Sequence, residues 1–62
     1  MFGKKKTVEA FRKGERVVSI WEPNKIGKVI RISTYYGTEP VYTIRYKDGN
    51  EYAGYAGSFR RV

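Results

Sequence analysis

The stretch that decides the fold runs Val41-Tyr42-Thr43-Ile44-Arg45-Tyr46-Lys47-Asp48-Gly49-Asn50-Glu51-Tyr52. Residues 41–46 are mostly β-branched or aromatic, and an Asp-Gly pair follows closely. This combination is a strong signal for a β-hairpin, because both residues of the pair tolerate positive φ. Side chains alternate across a strand. The alternation therefore predicts one nearly apolar face, Tyr42, Ile44 and Tyr46, and an opposite face, Val41, Thr43 and Arg45.

The rest of the chain supplies short strands that can close a small sheet over the apolar face. Lys13-Gly14-Glu15 is typical of a turn, and Gly27 within an extended run indicates a bulge or a close backbone approach. The patterns predict strands near 16–21, 27–33, 41–46, 51–54 and 60–62. Short strands with tight connections favour a small barrel or sandwich. The predicted core is Val17, Val29, Ile32, Tyr42, Ile44 and Phe59, and the opposite phase of the first strand would bury Val18 and Ile20 instead.

Three spaced motifs also carry a resemblance to a known family: Gly14-x-x-Val17, Gly27-x-Val29-x-x-Ile32, and Tyr42-x-Ile44-x-Tyr46-x-Asp48-Gly49. With the glycine-rich turn and last short strand that follow, residues 12–62 resemble the SH3-like barrels, and most of all their KOW and Tudor branches. The resemblance implies an all-β, five-stranded SH3-like barrel over residues 13–62. We expect residues 1–12 to form a flexible basic N-terminal arm, with Phe11 as its anchor.

Composition narrows the chemistry that the chain can perform. With 62 residues it forms one domain at most, and it has no cysteine and no histidine. This removes thiolate ligands, the commonest metal ligand and the commonest general base. The carboxylates are scattered, and no glycine-rich phosphate loop ends in Lys-Ser or Lys-Thr. We therefore expect a protein that is not an enzyme and that uses no cofactor and no metal.

Localisation follows from what the sequence lacks. No apolar run approaches the roughly 20 residues of a membrane span. The charged opening has no apolar stretch behind it, so it does not resemble a signal peptide. The absence of cysteine fits a reducing compartment. We expect a cytoplasmic protein with no membrane partner.

Charge is the most informative bulk property. Thirteen Lys and Arg against six Asp and Glu give a net charge of +7, and aromatic residues make up 16% of the chain. Cations meet phosphates while rings stack on bases, so this mixture favours nucleic acid, DNA or RNA. The alternative to nucleic-acid binding is that the basic sheet residues form an ordinary solvated face and the N-terminal lysines a solvated tail. The candidate contacts are Lys28, Arg31, Arg45 and Lys47 on the sheet, Tyr35 and Tyr36 in a loop, and Lys4, Lys5 and Lys6 in the arm.

A second candidate site comes from the Tudor resemblance. In Tudor-like barrels an aromatic at a place similar to that of Trp21 joins a cage for methylated lysine or arginine, held by π faces. The alternative is that Trp21 caps the small core, and a basic tail would be repelled by a +7 domain. The rings that could form the cage are Trp21, Tyr46, Tyr52 and Tyr55.

These observations lead to two functional hypotheses. The first is a non-enzymatic nucleic-acid-binding module that uses a basic sheet face and tyrosine stacking. The alternative is a protein-interaction module, an adaptor or a virus-encoded inhibitor, that docks on an acidic surface of a transcription or replication protein. The sequence leaves the oligomeric state open, since exposed sheet edges can pair with another copy.

Overall fold

The structure, a computed structural model, describes residues 11–34 and 39–62 as an all-β protein of five antiparallel strands. The strands are β1 (Arg16–Ser19), β2 (Glu22–Ser33), β3 (Val41–Tyr46), β4 (Glu51–Gly54) and β5 (Phe59–Arg61), with a 3₁₀ turn (Ala56–Ser58) before β5. They form one sheet in the order β4-β3-β2-β1-β5. The all-β class is confirmed. β4 and β5 stand at the two ends of this order and are not paired with each other in it, so the closed barrel stays an expectation. Within the described ranges, no helix is long and apolar enough to cross a membrane.

The hairpin predicted from residues 41–52 is present as β3 and β4. Arg45 pairs with Glu51, and the backbone N–H of Tyr46 donates to the carbonyl of Asn50 at 2.8 Å. Only the glycine of the Asp-Gly pair takes positive φ, at +94° for Gly49. Asp48 instead caps the turn, because its Oδ1 accepts the backbone N–H of Asn50 at 3.0 Å.

The first half of the sheet differs from the prediction in its strand limits. β1 ends at Ser19 rather than residue 21, and β2 begins at Glu22 rather than residue 27. Glu22 pairs with Ser19, but the next pair along the strands joins Ile26 to Val18. The three residues 23–25 therefore have no ladder partner in β1, which is where Pro, lacking an N–H, is tolerated within a strand.

A β-bulge at Ile30 sets which side chains of β2 face the core. Val29 pairs with Ile44 and Arg31 with Thr43, so Ile30 is an extra residue without a partner in β3. In a regular strand, residues three apart point to opposite faces. The extra residue shifts the alternation, so that Ile32 packs against the core as Val29 does.

Gly27 marks a close approach, the second of the two predicted alternatives. A Cβ at this position would lie 2.9 Å from Ile44 Cδ1. Because β2 and β3 pack this tightly over the core, no larger side chain fits without movement.

The core agrees with the predicted face of the hairpin. Tyr42, Ile44 and Tyr46 are buried, and the inward phase of β1 is set by Val17, which is fully buried. Val18 is buried on the other face, whereas Ile20 is 38% exposed. The full cluster is Phe11, Val17, Val29, Tyr42, Ile44, Tyr46 and Phe59, with Ile32, Tyr52 and Ala56 packed against it.

Two contacts bring the ends of the strand order together. Tyr52 of β4 and Phe59 of β5 meet edge to face, with ring centroids 5.7 Å apart. A Cβ on Gly54 would lie 3.2 Å from Ser58 Oγ. β4 and β5 are the outermost strands of the sheet. Since residues at these two edges contact each other, the sheet curls around the core.

The segment before β1 is fixed to the domain through Phe11, as predicted for the anchor of the arm. The ring of Phe11 is buried edge to face against Tyr42, at 5.4 Å between centroids. Gly14, at φ +93°, turns the chain so that its N–H donates to the carbonyl of Val29 at 2.7 Å. The rest of the predicted arm, residues 1–10 with Lys4, Lys5 and Lys6, lies outside the described residues.

Candidate functional site

A row of charged side chains crosses four strands on the outward face of the sheet. Arg16 of β1 is the register partner of Lys28, which in turn is the partner of Arg45, and Arg45 is the partner of Glu51. All of them are exposed. Side chains of directly opposed residues lie about 4.5–5.5 Å apart at Cβ. We call Arg16, Lys28 and Arg45 the cation row.

The carboxylate at the end of the cation row neutralises one of its members. Arg45 donates to Glu51 Oε2 from both Nε, at 3.0 Å, and Nη2, at 2.7 Å. No carboxylate of the described residues lies within 4.0 Å of Arg16 or Lys28. Like charges placed opposite each other destabilise a sheet. The β1–β2 part of the row is therefore a place where a bound anion would relieve repulsion.

An open groove of about 790 Å³ lies along the cation row. Asn24, Lys25 and Lys47 add polar or cationic groups to its lining, and Asp48, which pairs with Lys25, adds one carboxylate. Its apolar lining comes from Ile26, which is 48% exposed, and from half-buried Ile30. The groove therefore combines a cationic border with an apolar strip.

Of the four sheet cations predicted as nucleic-acid contacts, three line the groove and one does not. Lys28, Arg45 and Lys47 line the groove, whereas Arg31 does not. The bulge at Ile30 nevertheless turns Arg31, the partner of Thr43, to the same face as the cation row. Tyr35 and Tyr36, predicted to stack on bases, lie outside the described residues.

Arg16 is the functional candidate that sequence reasoning missed. Its importance depends on the register between β1 and β2, which places it opposite Lys28. The phase of the first strand was open in the sequence, so nothing aligned Arg16 with the cations of β2 and β3. Its position next to Val17, which the sequence placed in the core, was the available signal, since neighbouring residues of a strand lie on opposite faces.

Lys25 makes its contacts within the molecule. Its Nζ lies 3.4 Å from Asp48 Oδ2 and 4.5 Å from the centroid of the Tyr46 ring. The pKa of Asp48 is lowered by the backbone N–H of Asn50 and further by Lys25. Burial raises the pKa of Tyr46, which keeps its phenol neutral. Lys25 is therefore occupied by neighbours in a way that Lys28 is not.

The predicted aromatic cage residues have unlike surroundings. Trp21 is 69% exposed and Tyr55 is 53% exposed, whereas Tyr46 is buried beneath Lys25. Tyr52 is half-buried, with its ring against Phe59. Within residues 11–34 and 39–62, none of these four rings stacks edge to face or face to face on another of the four. The cage stays a prediction.

The turn that carries Trp21 is held firmly at its backbone. The N–H of Trp21 donates to the Oγ of buried Ser19 at 3.1 Å. The N–H of Ile20 donates to the carbonyl of Ser58 at 3.0 Å. Both side chains nevertheless stay exposed, so the sequence alternative in which Trp21 caps the core does not fit its 69% exposure.

In residues 11–34 and 39–62, no three His, Cys, Asp or Glu side chains group as metal ligands. Comparison of the chain with protein-family models, with curated proteins and with solved structures gave no match.

Proposed function

We propose that the protein is a non-enzymatic nucleic-acid-binding module that holds phosphates with the cation row. The observation that carries the proposal is the register of Arg16 with Lys28. Two exposed cations are held side by side without a carboxylate of the described residues to compensate them. Phosphate oxygens are the ligands that such an arrangement favours, and they supply most of the affinity in sequence-independent binding.

The net charge supports the same proposal at longer range. A charge of +7 on 62 residues creates a field that attracts polyanions before contact. Lys47 at the hairpin end of the groove and Arg31 on the same face extend the positive surface beyond the row. A nucleic acid lying along this face would meet cations on β1, β2 and the hairpin.

We also propose that the five-stranded sheet closes into an SH3-like barrel. The curl that brings Tyr52 to Phe59 supports it, because those rings belong to the two outermost strands. A barrel of this kind would present the cation row on its convex outer surface. Nuclear magnetic resonance contacts between backbone protons of β4 and β5 would test the closure.

The second candidate function is docking on an acidic protein surface. The observation that favours it is the exposure of Trp21 and Tyr55, because these residue types anchor many protein interfaces. Their segments are neighbours, since Ser58 bonds to both Ile20 and Tyr55 through its backbone.

A capture experiment separates the two functions. The tagged protein is incubated with cell lysate, with and without nuclease, and the retained material is identified. Partners that are lost on nuclease treatment, together with direct binding of purified oligonucleotides at low salt, are expected. A protein partner that survives nuclease, with no oligonucleotide binding at low salt, would contradict the nucleic-acid proposal.

A further inference from the structure

We infer that the groove along the cation row binds a single strand, with bases against Ile26 and Ile30 and a phosphate at Lys28. The inference rests on the proposed function and specifies the form of nucleic acid that it requires. It depends on the apolar strip of the groove, which phosphate binding alone does not use.

The order of side chains along β2 carries the argument. Ile26, Lys28 and Ile30 all line the groove, so this strand presents an apolar side chain, a cation and an apolar side chain in succession. Alternate residues of a strand lie roughly 6.6 Å apart. A single strand also alternates charged and apolar groups, because its phosphates are separated by bases that can turn outward.

A duplex does not match this order. Its bases are stacked inside, so its accessible surface offers phosphates and base edges but few apolar faces. Ile26, already 48% exposed, would gain no apolar contact from it. Burying apolar surface contributes about 25 cal/mol per Å², which a single strand can gain and a duplex backbone cannot.

The test compares three labelled probes that share the same number of phosphates. They are a 24-nucleotide oligothymidine, an abasic strand of equal length and a GC-rich hairpin duplex with the same number of phosphates in total, each titrated at low salt with fluorescence anisotropy as readout. We expect the oligothymidine to bind about tenfold more tightly than the abasic strand, a ratio of the size that burying some 50 Å² would give. We expect the duplex to resemble the abasic strand.

Two isoleucine variants decide whether the groove is responsible. In Ile26→Ala the ratio between oligothymidine and abasic affinity should fall toward one. Ile20→Ala is the matched control, because Ile20 is 38% exposed but does not line the groove. It should keep the parent ratio. Circular dichroism of both variants checks that they remain folded.

The possible outcomes distinguish failure of the single-strand inference from failure of the nucleic-acid function. Equal affinity for all three probes, or equal effects of the two isoleucine variants, would overturn the single-strand inference and leave the nucleic-acid function intact. Absence of binding to every probe would overturn both. Binding of a peptide of alternating Glu and Leu, in place of any nucleic acid, would also overturn both and assign the groove to a protein partner.

Discussion

Lys28 and Arg45 face each other across β2 and β3 as register partners, yet only Arg45 has a carboxylate beside it. The two cations therefore contribute differently to an anion site. Arg45 must give up or share its contacts with Glu51 before it can hold a phosphate. Lys28 has no such competitor within the described residues.

Replacing Lys28 by Ala should weaken binding to all nucleic-acid sequences alike. Each phosphate contact contributes about 0.7–0.9 to the slope of log affinity against log salt. We expect the slope to become shallower by about that amount, measured by titration at several salt concentrations. Lys13→Ala is the control, since Lys13 is also exposed but lies away from the groove. An equal change in both variants would mean that only net charge matters.

Replacing Glu51 by Gln should strengthen nucleic-acid binding, because it frees Arg45 and adds to the positive field. The change should lower the dissociation constant and steepen the salt dependence. Glu39→Gln removes the same charge at an exposed position outside the cation row and serves as the comparison. If Glu51→Gln gains no more affinity than Glu39→Gln, Arg45 does not contact the nucleic acid.

Truncating Ile44 to Ala should destabilise the protein severely. The side chain is fully buried at the centre of the core, and such a truncation costs about 2–5 kcal/mol through lost burial and the cavity left behind. Urea unfolding monitored by far-UV circular dichroism would measure it. The control, Ile20→Ala, alters a partly exposed side chain and should cost much less. An Ile44→Ala protein as stable as the parent would show that the face of β3 that carries Ile44 does not form the core.

Adding a methyl group at Gly27 should also destabilise the protein, by about 1–3 kcal/mol, because it overpacks the core. The nearest atom is Ile44 Cδ1, at 2.9 Å from the added Cβ. Ile44→Val removes that atom, so the double variant Gly27→Ala/Ile44→Val should lose less stability than the sum of the single changes. Strict additivity of the unfolding free energies would show that Ile44 is not the obstacle.

Stability should fall in acid partly through Glu15. The backbone N–H of Arg12, and also Arg61, lower the pKa of Glu15 below its usual 4.5. The unfolded chain therefore takes up the proton first, so this contribution is present above about pH 4.5 and is lost as pH falls through the lower folded-state pKa. Glu15→Gln should show a shallower decline of unfolding free energy between about pH 6 and pH 3. A decline identical to that of the parent would refute the assignment.

The hairpin could be predicted because its signals are local. The alternation of residues 41–46 and the Asp-Gly pair determine both the face and the turn. The phase of β1 is settled only by pairing with β2, which buries Val17 and aligns Arg16 with Lys28. β1 has only four residues and carries one valine on each face, so its own sequence does not show which face is buried.

The bulge at Ile30 had an indirect signal in the sequence. Val29 and Ile32 were both expected in the core although they are three residues apart, and only an extra residue between them makes this compatible with a strand. The groove could not be foreseen, because it depends on cross-strand register and on the unpaired residues 23–25. Register is set by turn lengths and packing together, which no single stretch of sequence contains.

The first and last described segments of the domain are joined side by side. Arg61 lies over the Phe11 ring at 5.2 Å and donates to Glu15 Oε2 at 2.6 Å. Domains whose two ends are adjacent tolerate circular permutation and insertion into a loop of another protein. Residues 11–62 could therefore be carried as a cassette within a host protein, entering and leaving at one point while the cation row on the sheet remains accessible.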